Sequence, residues 1–324
     1  MNVSPVIEVE DLAKHYGEVV ALDGVTFSVS PGEIFGFLGP NGAGKTTTIN
    51  CLTGLARPTA GKLAVLGLEY PHGLSRAQES IGVVPDESNL YPEMDGFENL
   101  VFCAALYGMP PKARERRARE LLELFDLAAV GSRPFGAYSR GMKRKLTIAA
   151  GLIHDPEVLF LDEPTTGIDV ASARGIRRLL ADLNSEGLTI FLTTHYIEEA
   201  ERLCHRIAFL VAGKVVRIDT TDNLLAEADG STSLTFVMDD DASTAARVLR
   251  EAFPELIVSP SEGGRVSVTS ETEMDLMPLM RTLDDAQIAV YEARIERPSL
   301  EDVFVRITGI EAGDMKEKER GNNA

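Results

Sequence analysis

The segment Gly39-Pro40-Asn41-Gly42-Ala43-Gly44-Lys45-Thr46-Thr47 carries the clearest chemistry in the sequence, with the spacing G-x-x-x-x-G-K-T. Glycines let consecutive backbone N–H groups turn toward bound phosphates. Asn41, Gly42, Ala43, Gly44 and Thr47 are therefore expected to line the phosphates together with Lys45 and Thr46. Lys45 is expected to reach the outer phosphates and Thr46 to hold Mg²⁺. An apolar run, Ile34 to Leu38, precedes the loop, and a helix-compatible run, Thr46 to Leu55, follows it. The start of that helix adds its positive end to the site.

Two further apolar runs end in groups of the same chemistry. Val158 to Leu161 leads into Asp162 and Glu163, and Thr189 to Thr194 leads into His195. Runs without alternation suit parallel strands covered on both faces, whose C-terminal ends meet at the binding crevice. Asp162 is expected to hold Mg²⁺ through water, and Glu163 to polarise an attacking water. His195 is expected to contact the outer phosphate or to position that water. The chemistry is ATP hydrolysis with a lysine clamp and an activated water.

The elements that must position these groups read as an α/β domain. Val6 to Val9, Val19 to Leu22 and Val25 to Val29 are short strand-like runs, with Tyr16 and Gly17 on the turn between the first two. An aromatic there can stack on an adenine face. Lys62 to Leu66 and Ile81 to Val84 are further strands. Glu98 to Leu106 and Lys112 to Phe125, parted by Pro110-Pro111, read as a helical insertion over about 95–155. The helix opened by Tyr138 to Met142 begins with Lys143, Arg144 and Lys145. Basic charge there opposes the helix dipole, and suits bound phosphate or a solvated face.

Composition shifts near Thr220. The chain is expected to divide into an ATP-binding domain over 1–220, an α+β domain over 221–309 with a ferredoxin-like arrangement, and a disordered polar tail over 310–324. Asp239-Asp240-Asp241 suits a helix start. The net charge of -18 argues against a nucleic-acid partner. Cys51, Cys103 and Cys204 are far apart and read as reduced thiols, with no metal spacing. No run approaches a membrane span, and Met1 to Pro5 lacks signal-peptide character. These features lead to an expected place in the cytoplasm.

On these residues the chain resembles the nucleotide-binding subunit of ATP-binding-cassette transporters, over roughly residues 5–220. Gly39 to Thr46 matches the family's phosphate loop, Asp162 its magnesium-associated aspartate, Glu163 its catalytic glutamate and His195 its switch histidine. Tyr16 matches the adenine-stacking aromatic, and Tyr138-Ser139-Arg140-Gly141-Met142 matches the signature. Arg140 and Met142 depart from the glycine and glutamine of the broad family, while Ser139 and Gly141 remain. Asp86 stands where the family has a glutamine, and as a carboxylate it is a further candidate for nucleotide or Mg²⁺. Which of Asp86 and Glu87 faces the site is left open.

The resemblance implies a phosphate-loop NTPase fold with a parallel core sheet, an antiparallel β subdomain and a helical subdomain. It implies a homodimer, or a pair with a closely related second ATPase subunit. Two ATP molecules would lie between the subunits, each facing Ser139 and Gly141 of the opposite one. Separate transmembrane permease subunits would hold the pair at the cytoplasmic face of the cell membrane. The acidic Asp86 and the ending Arg297-Pro298-Ser299-Leu300-Glu301-Asp302-Val303-Phe304 resemble a branch of bacterial export ATPases that includes antibiotic self-resistance. Import, a soluble role in translation or DNA repair, and a non-catalytic module are the alternatives. One cassette, no heptad run and no cysteine cluster weigh against the soluble roles.

Overall fold

The computed structural model describes residues 4–228, 232–238, 242–261, 263–270, 274–296 and 299–310. The described residues divide into two compact units, a large one over 4–220 with Ile310 and a small one within Thr221–Gly309.

In the large unit β1 (Ile7–Tyr16) and β2 (Val19–Val29) form a hairpin, followed by β3 (Ile34–Leu38), the glycine loop and α1 (Lys45–Leu52). Next come β4 (Ala60–Val65), β5 (Leu68–Glu69), α2 (Leu74–Gln78) and β6 (Ile81–Val84). A helical stretch holds α3 (Gly96–Leu106), α4 (Pro111–Leu124) and α5 (Arg140–Gly151). The unit ends with β7 (Val158–Asp162), α6 (Val170–Ser185), β8 (Thr189–Thr194), α7 (Ile197–Leu203), β9 (Arg206–Val211) and β10 (Lys214–Thr220).

The sheet that positions the site has the order β10-β9-β3-β8-β7-β6. It is parallel from β9 to β6, with β10 antiparallel at the edge. The register pairs Phe37 with Thr193, Asp162 with Thr193, and Val84 with Leu161. The C-terminal tips of β3, β8, β7 and β6 therefore stand side by side. They lead into the glycine loop, His195, Asp162-Glu163 and Asp86 respectively. Every residue of β3, β7 and β8 is buried, as their unbroken apolar runs require.

A second, antiparallel sheet has the order β2-β1-β4-β5. The strand-like runs at Val19 to Leu22 and Val25 to Val29 join as one long strand, β2, and β1 runs on to Tyr16. Gly24, between the two runs, lies within the strand at φ 71°, where the pairing shifts register. Tyr16 is thus the last strand residue, paired with Val19. Phe27 from this sheet packs on Phe35, Phe37 and Phe191 from the parallel sheet, with ring centroids 5.0–5.8 Å apart. Phe160 joins them at 5.7 Å from Phe191. These rings are the core that joins the two sheets.

Local signals set the helix starts. Asp95 and Glu98 make a reciprocal capping box on α3, and Pro111 occupies the first turn of α4, where its missing N–H costs nothing. Ser139 caps α5 by accepting from the Met142 amide at 3.2 Å.

The small unit holds α8 (Thr221–Ala228), β11 (Thr232–Met238), α9 (Ala242–Ala252), β12 (Ile257–Ser261), β13 (Arg265–Ser270), α10 (Leu276–Asp285), β14 (Val290–Glu296) and α11 (Leu300–Thr308). Its antiparallel sheet runs β12-β13-β11-β14, and the β-α-β-β-α-β order is that of a ferredoxin-like domain. Ala245, Ala246 and Leu249 of α9 and Leu279 and Leu283 of α10 pack with Leu234, Phe236, Val266 and Val268. Ser299 and Asp302 form the capping box of α11. The acidic run Asp239 to Asp241, Arg297-Pro298 and the tail from 311 onward lie outside the described residues. Among the described residues, no helix is long and apolar enough to cross a membrane.

Candidate active site

Backbone geometry at the glycine loop excludes most side chains. Gly42 and Gly44 have φ 80° and 110°, the left-handed region. A β-carbon on Gly44 would also lie 2.6 Å from the Ala21 carbonyl oxygen. Lys45, buried at the start of α1, donates to the carbonyls of Gly39 at 2.7 Å and Pro40 at 3.2 Å. Its ammonium is thereby held inside its own loop. Thr46 is exposed on the first turn of α1, and Asn41, Gly44 and Thr47 are partly exposed.

Lys45 also pairs with the carboxylate at the tip of β7. Its Nζ lies 3.1 Å from Glu163 Oε1, and His195 Nδ1 lies 2.8 Å from Glu163 Oε2. The His195 amide and the Thr166 hydroxyl donate to Oε2 as well, at 3.3 and 3.1 Å. Burial works against a charged Glu163, but the hydrogen bond from His195 and the charges of Lys45 and His195 outweigh it. The carboxyl therefore titrates below its ordinary value. Glu163 sits at φ 48°, a strained conformation for a non-glycine residue, and its amide is held by Thr193. The Thr193 hydroxyl in turn donates to Asp162 Oδ1. Lys45, Asp162, Glu163 and His195 are thus one connected group.

Asp86 approaches from the tip of β6. Its side chain is open to water, yet the protein around the carboxyl desolvates it enough to raise its pKa. Arg144 opposes that rise, and the charges of Asp162, Glu163 and Glu87 add to it. Among the described residues, no three His, Cys, Asp or Glu side chains form a ready-made metal cluster. Mg²⁺ needs none, since it is bound through one or two carboxylates together with substrate phosphates. The hydroxyl of Thr46 and the carboxylate of Asp162 are hard oxygen donors and fit it.

Ser139, Gly141 and Tyr16 stand apart. Ser139 is exposed, and a β-carbon on Gly141 would meet the Ser172 hydroxyl at 2.3 Å. Asp169 caps α6 at Ser172, and Arg140 donates to the Gly167 carbonyl at 3.4 Å, so the signature abuts the loop after Glu163. Tyr16 is 48% exposed, with Lys14 Nζ 4.5 Å above its ring. Among the described residues, no hydrogen bond or ion pair joins Ser139 or Tyr16 to Lys45, Asp162, Glu163 or His195.

Two residues of the site escape a reading by motif. Thr193 supports both Asp162 and Glu163 from the neighbouring strand, and its signal is a polar residue at the end of an apolar run. Arg144 reads as part of a basic helix start that suits phosphate or a solvated face. It is buried instead, on the inward stripe Gly141, Arg144, Ile148 and Gly151 of α5, and that spacing is the available signal.

Known proteins resemble this chain in sequence and fold. Residues 22–166 match the family model described as ABC transporter. Nod factor export ATP-binding protein I of Ralstonia nicotianae is 38% identical, over 96% of this chain and 96% of that protein. Linearmycin resistance ATP-binding protein LnrL of Bacillus subtilis is 34% identical, over 94% and 98%. Daunorubicin resistance ATP-binding protein DrrA3 of Streptomyces coeruleorubidus is 36% identical, over 94% and 96%. Among solved structures, an ATP-binding subunit of an ABC transporter superposes with a TM-score of 0.62 at 31% identity, covering 69% of this chain and 93% of that one. A dimeric ATP-binding cassette bound to ADP and Pi has a TM-score of 0.61 at 27% identity, covering 66% and 98%. With a relative matching 96% of its length and this constellation at its strand tips, the chain belongs to the ABC transporter family as an ATP-binding, ATP-hydrolysing subunit.

Proposed function

We propose that the chain powers an exporter, hydrolysing ATP between two copies of itself that rest on separate transmembrane subunits at the cytoplasmic face of the membrane. The observation that carries the catalytic part is the chain of contacts from Lys45 through Glu163 to His195. Lys45 and the amides of Gly42 to Thr47 hold the phosphates. As Lys45 turns its charge to the phosphates, Glu163 Oε1 becomes free to accept a proton from the attacking water. His195 holds the other oxygen of Glu163 and keeps the carboxylate aimed. Tyr16 offers a stacking face to adenine. Thr46 and Asp162, with Asp86 as a third oxygen donor, are the residues that would hold Mg²⁺. When bound, the ion neutralises phosphate charge.

Ser139 and Gly141 serve the opposite subunit. The first amides of a helix have no intrahelical partner, and α5 presents those of Arg140 and Gly141 beside an exposed Ser139. ATP then draws two subunits together, and hydrolysis releases them. The stretch over about 95–155 is assigned to contact with the membrane subunit, and Asp86 to Phe97 to transmission of the motion. The export direction is supported by the relatives, whose names are export and drug-resistance ATP-binding proteins.

The test is purification of the Glu163→Gln chain from membranes with ATP present. The expected result is a stable ATP-bound dimer that co-purifies with a multi-span protein. A monomer that hydrolyses ATP at the wild-type rate would contradict the reading.

A further inference from the structure

We propose that Arg144 is a positioning residue for ATP hydrolysis, tying the tips of β6 and β7 to the helix that Ser139 opens. The proposal rests on the ATPase reading above and concerns how its two halves are kept in register.

Arg144 is 7% exposed and, among the described residues, makes no ion pair with a carboxylate. Its guanidinium instead donates to four backbone carbonyls. Nε reaches Pro164 at 2.9 Å, Nη1 reaches Pro85 and, at 3.0 Å, Asp86, and Nη2 reaches Asp162. Two of these carbonyls follow β6, and two flank Glu163 at the end of β7. A buried cation spent wholly on carbonyls is expensive unless its geometry is well satisfied, and this one uses its planar fork to span two segments. Burial lowers the pKa of Arg144, and the charges of Asp86, Asp162, Glu199 and Glu163 oppose that shift.

The other end of the connection is rigid. Ser139 caps α5 five positions before Arg144, which is ~7–8 Å along a helix axis. A displacement of the Asp86 loop or of the peptide after Glu163 is therefore carried to Ser139 through one side chain and little more than one helical turn. The same loop is gripped from α7, where the Thr165 hydroxyl donates to the buried Glu199 at 2.7 Å. Lysine at position 144 would keep the charge and lose the fork, since an ammonium cannot reach both segments in one plane.

The test compares the wild-type chain with Arg144→Lys and Arg144→Gln, measuring kcat, KM, ATP affinity and melting temperature. Arg144→Lys is expected to bind ATP within about threefold of wild type and to lose on the order of tenfold to a hundredfold in kcat, the cost of misplaced groups. In a Glu163→Gln background it is expected to form less ATP-bound dimer. A purely structural role predicts a lower melting temperature with kcat per folded molecule unchanged, and that result would overturn the proposal. If Arg144→Lys does not fold, Arg144→Gln carries the same comparison. Hydrogen exchange on the wild-type chain needs no variant. A non-hydrolysable ATP analogue is expected to protect the peptides around 85–87 and 139–145 together, whereas protection confined to 39–47 would overturn the proposal. Wild-type hydrolysis is the control. Its absence would strike the ATPase reading, while an Arg144→Lys chain equal to an active wild type would strike this proposal alone.

Discussion

The groups at the strand tips and the groups at the start of α5, proposed above to share one ATP site, live in opposite surroundings. Lys45, Glu163 and His195 are buried and bonded to one another, and the Thr193 hydroxyl links them to buried Asp162. Ser139 lies in water, and its hydroxyl is engaged with its own helix. The contrast teaches that one half is preorganised by the fold of a single chain. The other half is an exposed surface, which on the proposed reading acquires its task from a second subunit. Substitutions in the two halves should accordingly fail in different ways.

The largest effect is expected from Glu163→Gln. It should lower hydrolysis by about 10²–10⁴-fold, the contribution of a positioned base, with ATP binding kept. Phosphate-release kinetics beside a binding titration check it. Next, Phe191→Ala removes the ring that links Phe27, Phe35, Phe37 and Phe160. It should cost about 3–5 kcal/mol in stability, read by denaturant unfolding. Thr193→Val leaves Asp162 short of a partner, while the Glu163 amide keeps the Thr193 carbonyl, at a cost on the order of 1–3 kcal/mol. Both stability and turnover should drop. Ser139→Gly behaves differently, because glycine is a fair cap and stability should fall by only about a few tenths of a kcal/mol. Hydrolysis by the dimer should nevertheless fall, and an equal loss of both would blur the distinction between the halves.

The smallest effect concerns His154, which stacks on Tyr107 at 3.6 Å and bonds the Ile81 carbonyl through Nε2 at 2.9 Å. Burial lowers its pKa below the ordinary 6.5, against smaller opposing effects of the Ile81 bond and Asp155. The unfolded chain then binds the proton more readily, so stability is full above about pH 6.5 and declines as pH falls through the folded pKa. Unfolding measured at pH 7.5 and 5.5 should show that decline, and His154→Phe should flatten it.

Much of the first half is written in residue type and spacing. The glycine loop, Asp162-Glu163 and His195 each follow an unbroken apolar run that suits a buried strand, and β3, β7 and β8 fall where that pattern puts them. The bent hairpin is less legible, because Asp11 and Gly24, both at positive φ, sit where the pairing of two long strands shifts register. Arg144 is hidden for a related reason. Residue type argues for solvent, while its place on the inward stripe of α5 argues for the core, and the carbonyls that settle the matter come from segments 18 to 59 positions away. Long-range backbone partners leave no mark in local pattern.

Mixing two defective chains tests the shared site most directly. A Glu163→Gln chain and a Ser139→Phe chain are each expected to be nearly inactive alone. Refolded or co-expressed together, they should form mixed dimers in which one site combines intact Lys45, Asp162 and Glu163 from one subunit with intact Ser139 from the other. Hydrolysis should then rise well above either parent. Activity that stays at the parental level while mixed dimers demonstrably form would contradict a site completed by a second subunit.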